Sequence, residues 1–306
     1  MTPSLVLETR LGDHHLQSPL IGSSGTVGSV VDFVAVTDWS VYGAAVAKSV
    51  SATPWPGRTA PRVAATGGGM LNSIGIQNPG VAAWVESIGS RLGSVPTQVW
   101  GSAVGKDAAE FAVVAATLSS TEVAAIEVNL SCPNLESGRM FALDVADAAE
   151  VVRSVREVTD LPIGAKLTPN SEDIVAIAAA VAEAGADWVV LGNTVWGAGF
   201  DIETRRPLLS AVVGGYSGGP IKPIALRCVW QVARALPGLP IVGTGGVGSG
   251  EDVVEFLLAG ASAVGVGTAH FASPRIGMRI VKQLRRYMEK HGVASVNELI
   301  GAAKPW

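Results

Sequence analysis

Short apolar runs rich in valine, isoleucine, alanine and glycine recur about eight times, at residues 19–25, 43–50, 97–104, 124–132, 162–169, 188–194, 240–247 and 263–271. Between most of them apolar residues return every three or four positions, which predicts helices over residues 81–92, 108–118, 145–158, 174–184, 225–235, 251–259 and 276–291. Strands that alternate with helices must run parallel, because a crossover helix returns the chain to the same edge of the sheet. Eight such units close a TIM (β/α)8 barrel. Ahead of the first run, residues 4–20 alternate apolar and polar around Gly12-Asp13, the pattern of a β-hairpin that closes the barrel bottom. Nothing reads as a linker or low-complexity segment, so residues 1–306 are expected to form a single domain.

Composition agrees with buried strands and tight turns: 48% of residues are hydrophobic, 16% charged, and 37 are glycine. A net charge of -4 with scattered Lys and Arg leaves no basic stripe for a phosphate backbone, so nucleic acid is not expected as a partner. Two cysteines, Cys132 and Cys228, exclude a disulfide framework and point to the cytoplasm, with Cys228 a core residue on a helix. Residues 174–190 form a long apolar run, but Glu183, Gly185 and Asp187 divide it into helix and strand, so no membrane span is expected. The first residues lack the basic, apolar and cleavage-site order of a signal peptide. The four histidines have no metal-ligand spacing.

Chemistry is expected where strands end. Residues 51–79 and 195–220 are too long for simple turns, both follow a strand, and together they should form a lid over the barrel's C-terminal face. In Asn129-Leu130-Ser131-Cys132-Pro133-Asn134 a thiol stands between two carboxamides, suited to holding a planar ring with several carbonyl and N–H groups while Cys132 moves a proton. Lys48 and Lys166 end apolar strands, where a charge signals a site more than a core. Asn193-Thr194 ends the sixth strand in the same way, and Asn72, in the first long connection, equally suits a turn cap or a ligand. Residues 243–248 match G-x-G-x-x-G, but the acidic residue expected about twenty positions on is missing. Glycines after the seventh strand (Gly245, Gly246) and the eighth (Gly267, beside Thr268) instead suit a barrel's phosphate cradle. Residues 201–207 read as a charged surface hairpin.

The Asn129 to Asn134 motif resembles the active-site segment of class 1 dihydroorotate dehydrogenases, and Met70 to Gly80 and Asp201 to Pro207 resemble the same family, with likeness over nearly the whole chain. The extra N-terminal membrane-associating segment of class 2 enzymes has no counterpart ahead of Leu5. The resemblance implies FMN-dependent oxidation of (S)-dihydroorotate to orotate in pyrimidine synthesis, with Cys132 as general base and hydride transfer to FMN. Substrate contacts follow by resemblance at Lys48, Asn72, Asn129, Asn134, Asn193 and Thr194. Flavin contacts follow at Ser24, Gly25, Lys48, Ser49, Asn129, Lys166, Ser217, Gly218, Gly245, Gly246, Gly267 and Thr268. The Met70 to Gly80 segment is closest to the NAD-linked class 1B branch, which implies a homodimer, or a heterotetramer with a subunit carrying FAD and an iron–sulfur cluster. The chain departs from the family at Val27 and Ser29-Val30, where an aromatic residue and a glycine-tyrosine pair are usual, and at the bulky Trp196 and Phe200. Other readings are a dihydropyrimidine dehydrogenase-like reaction on uracil or thymine, a flavin-free phosphate-binding isomerase or synthase, and a non-catalytic barrel serving as an assembly subunit.

Overall fold

A computed structural model describes residues 5–132 and 140–304. Eight parallel strands close a barrel: β1 (Leu20–Gly22), β2 (Ala44–Val46), β3 (Gln98–Ala103), β4 (Ala125–Asn129), β5 (Ile163–Leu167), β6 (Trp188–Leu191), β7 (Ile241–Thr244) and β8 (Ala263–Val266). Each pairs with its neighbours in sequence, and β8 returns to β1 through Val264 opposite Leu20.

Side-chain alternation explains why these strands are apolar at nearly every position. Outward residues such as Ile126, Val128, Ile163 and Leu167 pack in one large core under the surrounding helices. Inward residues Ile21, Val46, Trp100, Ala125, Trp188, Val190 and Val242 form a second cluster with Leu11 and Leu16. Those two leucines come from the N-terminal hairpin, Thr9–Leu11 paired antiparallel with His14–Leu16, which plugs the barrel bottom. Gly164 makes room for the Trp188 indole in this cluster, since a Cβ there would stand 2.3 Å from Trp188 Nε1.

Toward the C-terminal end the interior turns polar: Trp100 is followed on the same face by Ser102, Ala125 by Glu127 and Asn129, and Val242 by Thr244. Large apolar side chains fill the lower half, whereas small and polar ones leave the upper half open. Helices Ala108–Ser119, Val145–Arg156, Ile174–Glu183 and Gly250–Ala259 each start on a side-chain cap, from Asp107, Asp144, Asp173 and Ser249. Such caps satisfy an orphan backbone N–H and are worth about 1 kcal/mol each. Among the described residues no helix is long and apolar enough to cross a membrane.

Several strands are shorter than the apolar runs predict. Gly192 (φ 124°) ends the sixth, and Gly245 (φ 135°) and Gly246 (φ 77°) end the seventh, because a left-handed backbone cannot continue a parallel ladder. The eighth stops at Val266, and the expected strand residues 269–271 instead belong to a short helix, Ala269–Ala272. Gly267 and Thr268 turn the chain there, and their carbonyls accept from His270 N and Phe271 N.

The two long connections do more than cover the barrel separately. Val63–Thr66 and Gly69–Asn72 from the first pair with Val195–Ala198 and Val213–Gly218 from the second in one four-stranded antiparallel sheet. Phe200–Asp201 and Arg206–Pro207 form the small surface hairpin expected of residues 201–207.

Candidate active site

Between the barrel's C-terminal mouth and this sheet lies a cavity of 890 Å³. That is near the upper end of the roughly 300–1,000 Å³ usual for small-molecule and cofactor sites. Every predicted site residue among those described lines it: Cys132; Lys48, Asn72, Asn129, Asn193 and Thr194; and Ser24, Gly25, Ser49, Lys166, Ser217, Gly218, Gly245, Gly246, Gly267 and Thr268. Asn134 lies outside the described residues.

A chain of short hydrogen bonds orders the cavity floor. Asn129, the last residue of β4, donates through Nδ2 to Ser49 Oγ at 3.0 Å and to Cys132 Sγ at 3.2 Å. Its Oδ1 accepts from Ser131 Oγ at 2.9 Å, and Asn193 Nδ2 donates to that same Ser131 oxygen at 2.5 Å. Ser49 and Ser102 share a further bond of 2.9 Å. One buried amide therefore orients the thiol while tying the end of β4 to the segments after β2 and β6.

Charge is concentrated beside this network. Lys166 is opposite Asn129 in the parallel register and is only 6% exposed. Its Nζ lies 3.5 Å from Oε1 of Glu127, which is 2% exposed. Burial pushes the Glu127 carboxyl up, and the Lys166 ammonium opposes that shift. Burial likewise pushes the Lys48 ammonium down, with Cys132 opposing and the like charge of Lys166 adding to the effect.

The other end of the cavity is built from backbone. At Gly267 an added Cβ would meet nothing closer than 3.8 Å, so that glycine faces the open cavity; Gly25 is equally open but stands on the lysine side, where the adjacent Ser24 Oγ donates to Ala47 O, next to Lys48. At Gly246 the left-handed backbone, together with Lys222 atoms 2.8 Å from a would-be Cβ, excludes any other residue without strain. A glycine cradle at one end, with two ammonium groups and several amides at the other, fits a phosphorylated planar cofactor: its phosphate on the glycines, its polar ring edge on the lysines. Such a donor set suits FMN.

The lid sheet supplies the roof. Asn72 donates to Gly215 O across it at 3.4 Å, and Asn170 donates to Thr168 Oγ1 and to Thr194 O while accepting from Trp196 N at 3.0 Å. Trp196 lines the cavity yet is 54% exposed at its rim, whereas Val27 is fully buried in the outer core and Ser29 Oγ accepts from Trp84 Nε1. Cys228 is a buried helix residue, as expected, its thiol pushed up by burial. No cluster of potential metal ligands occurs among the described residues.

Sequence reasoning missed Glu127, Ser131 and Asn170. Glu127 carried a usable signal, because it stands two positions before Asn129 and so shares its inward face. Ser131 and Asn170 act through turns whose path the sequence does not define.

Comparison with known proteins follows the same lines. The family model for dihydroorotate dehydrogenase matches residues 6–288. The chain is 45% identical over 289 residues, 94% of each chain, to "Dihydroorotate dehydrogenase B (NAD(+)), catalytic subunit" of Citrifermentans bemidjiense. It is 42% identical over 304 residues, 99% of each chain, to the protein of the same name from Pelobacter propionicus. In fold it is similar to a dihydroorotate dehydrogenase from Eimeria tenella solved with ferulenol, at a TM-score of 0.82 and 18% identity, over 97% of this chain and 88% of that one.

Proposed function

The chain belongs to the dihydroorotate dehydrogenase family, and from that premise we propose that it oxidises (S)-dihydroorotate to orotate in pyrimidine synthesis, with FMN as its cofactor. The observation that carries this reading is the Cys132 thiol, held 3.2 Å from Asn129 Nδ2 at the floor of a cavity that Lys48, Lys166 and Asn193 also line. Bound FMN would supply the two-electron acceptor for the hydride from C6 of the substrate. Cys132 removes the proton from C5. A thiol is suited to this because its reference pKa lies closer to neutrality than that of a hydroxyl. Asn72, Asn129, Asn193 and Asn134 hold the carbonyl and N–H edges of the substrate ring, with Thr194 beside them. The glycines of the cradle, with Ser217 and Gly218, would hold the phosphate of FMN, and Lys166 would supply a cation to its ring. The lid sheet excludes water from the reacting faces.

The relatives' names include NAD and the words catalytic subunit. We infer that this chain works in a cytoplasmic assembly, a homodimer joined by subunits that carry FAD and an iron–sulfur cluster and pass electrons to NAD. Two cysteines cannot supply the four thiolates of such a cluster. Anaerobic mixing of the purified protein with dihydroorotate, dihydrouracil and dihydrothymine tests the reaction. Selective bleaching of a bound flavin by dihydroorotate is expected; bleaching by dihydrouracil in its place would transfer the chain to the dihydropyrimidine reaction, and a protein that takes up no flavin would end the proposal.

A further inference from the structure

Glu127 takes no part in the proton transfer above, yet it occupies the barrel interior directly beneath the site. Its register neighbours on the adjacent strands are Ser102 and Gly164, and other inward positions of the barrel, Val46, Val190 and Val242 among them, carry apolar residues. A carboxylate here is instead 2% exposed, and the cation it meets is Lys166, itself 6% exposed and on the cavity wall. Burying a charge carries a desolvation penalty that a partner only partly offsets, so the pair is a poor choice for stability alone. Its separation of 3.5 Å is longer than a tight charge-assisted hydrogen bond, which leaves the ammonium free to face the cavity as well. Around it stand Lys48, a second cation, and the Cys132 thiol. The floor thus brings two lysines and one glutamate together, with burial working against charge on Glu127 and Lys48 and the Lys166 ammonium working for a charged Glu127.

We propose that Glu127 is a positioning residue that sets the electron affinity of the bound flavin by holding the Lys166 ammonium at the cavity floor and offsetting part of its charge. The proposal rests on the FMN reading above. Negative charge arriving on the flavin's pyrimidine edge is stabilised by a facing cation, and a carboxylate behind that cation weakens the field the ring feels. Glu127 therefore makes the flavin a weaker oxidant and, once reduced, a better donor to the next acceptor.

Glu127→Gln keeps the size and removes the charge. In the flavin-loaded protein its midpoint potential should rise, and sulfite, whose addition to the flavin leaves the same negative charge, should bind roughly tenfold more tightly or better, the effect of one charge several ångströms away at an effective dielectric of about 20. Glu127→Asp, which retains the charge, should stay near the wild-type potential. Equal potentials and equal sulfite affinities in the wild type and Glu127→Gln would overturn the proposal. If the glutamine variant does not accumulate, Lys166→Met and Lys166→Met/Glu127→Gln, both reconstituted with FMN, carry the test. A buried carboxyl without its cation takes up a proton, so the two should bind sulfite equally, and a difference between them overturns the proposal. These measurements use no substrate. A protein without flavin, or one whose flavin dihydroorotate leaves unbleached, defeats the functional reading; a flavin that bleaches normally but does not respond to Glu127→Gln defeats this inference alone.

Discussion

Cys132 and His270 are buried or half-buried residues with different tasks, and each yields a measurable consequence. Cys132→Ala should keep FMN yet slow flavin reduction by dihydroorotate about 10²–10⁴-fold, the usual worth of a positioned general base. Stopped-flow reduction at neutral pH measures it, and a near wild-type rate would remove the thiol from the mechanism. Cys132→Ser should recover partly at high pH, because a hydroxyl is the weaker base. His270 is 1% exposed, and burial holds its imidazole down at about 4 against an ordinary value of 6.5. Its Nδ1 faces Gly267 O, which can only accept, so Nδ1 carries the proton and Nε2 accepts from Tyr42 Oη–H at 2.8 Å. Between pH 6.5 and about 4 the unfolded chain binds the extra proton. The contribution is therefore complete above pH 6.5 and lost as pH falls toward 4, at roughly 1.4 kcal/mol per pH unit, or about 3 kcal/mol in all. Denaturant titrations at pH 7 and pH 5 should show the wild type losing about 2 kcal/mol more than His270→Gln; the same loss in both would assign the acid sensitivity elsewhere.

Among the elements, the lid sheet joins two connections far apart in sequence, and Gly215 is its tightest point. An added Cβ would stand 2.1 Å from Thr194 Oγ1, and Gly215 O is the acceptor of the Asn72 amide. Gly215→Ala must therefore displace the segment after the sixth strand or the sheet above it, an overpacking that costs about 1–3 kcal/mol. The expected result is a folded, flavin-loaded protein with a raised KM for dihydroorotate and a lowered kcat; unchanged constants would mean that the sheet does not position substrate. The same glycine chemistry explains the short strands. Gly192, Gly245 and Gly246 lie in apolar runs, and their left-handed conformations stop each ladder where the chain must turn toward the cavity.

For the molecule as a whole, the electrons need an exit. Thr244, Gly245 and Gly246 of the 243–248 motif line the barrel's cavity instead of opening a second nucleotide fold, and two cysteines are too few for a cluster. The isolated chain should reduce artificial acceptors with dihydroorotate but not NAD, and NAD reduction should appear only when a partner subunit with FAD and an iron–sulfur cluster is added. Steady-state assays decide this. Brisk NAD reduction by the chain alone would defeat the argument, and brisk turnover with fumarate would mean that the likeness of Met70 to Gly80 to the NAD-linked branch does not carry over to the electron acceptor.

The amino-acid sequence by itself determined the barrel, because short apolar runs and the 3.6-residue helix period are local properties and eight alternating strand–helix units are the number that closes a parallel barrel. It also marked the ends where chemistry sits, since Lys48, Asn129, Cys132, Lys166 and Asn193 break apolar runs by their charge or polarity. What it could not determine depends on distance across the fold. The pairing of residues 69–72 with 215–218, the bond from Asn193 to Ser131, and the meeting of Glu127 with Lys166 join segments separated by tens of residues or more. Such contacts exist only once barrel closure has set the register of neighbouring strands, and register is a property of the assembled sheet. Tertiary structure alone decided that two loops would make one sheet, and that a carboxylate would stand behind the lysine.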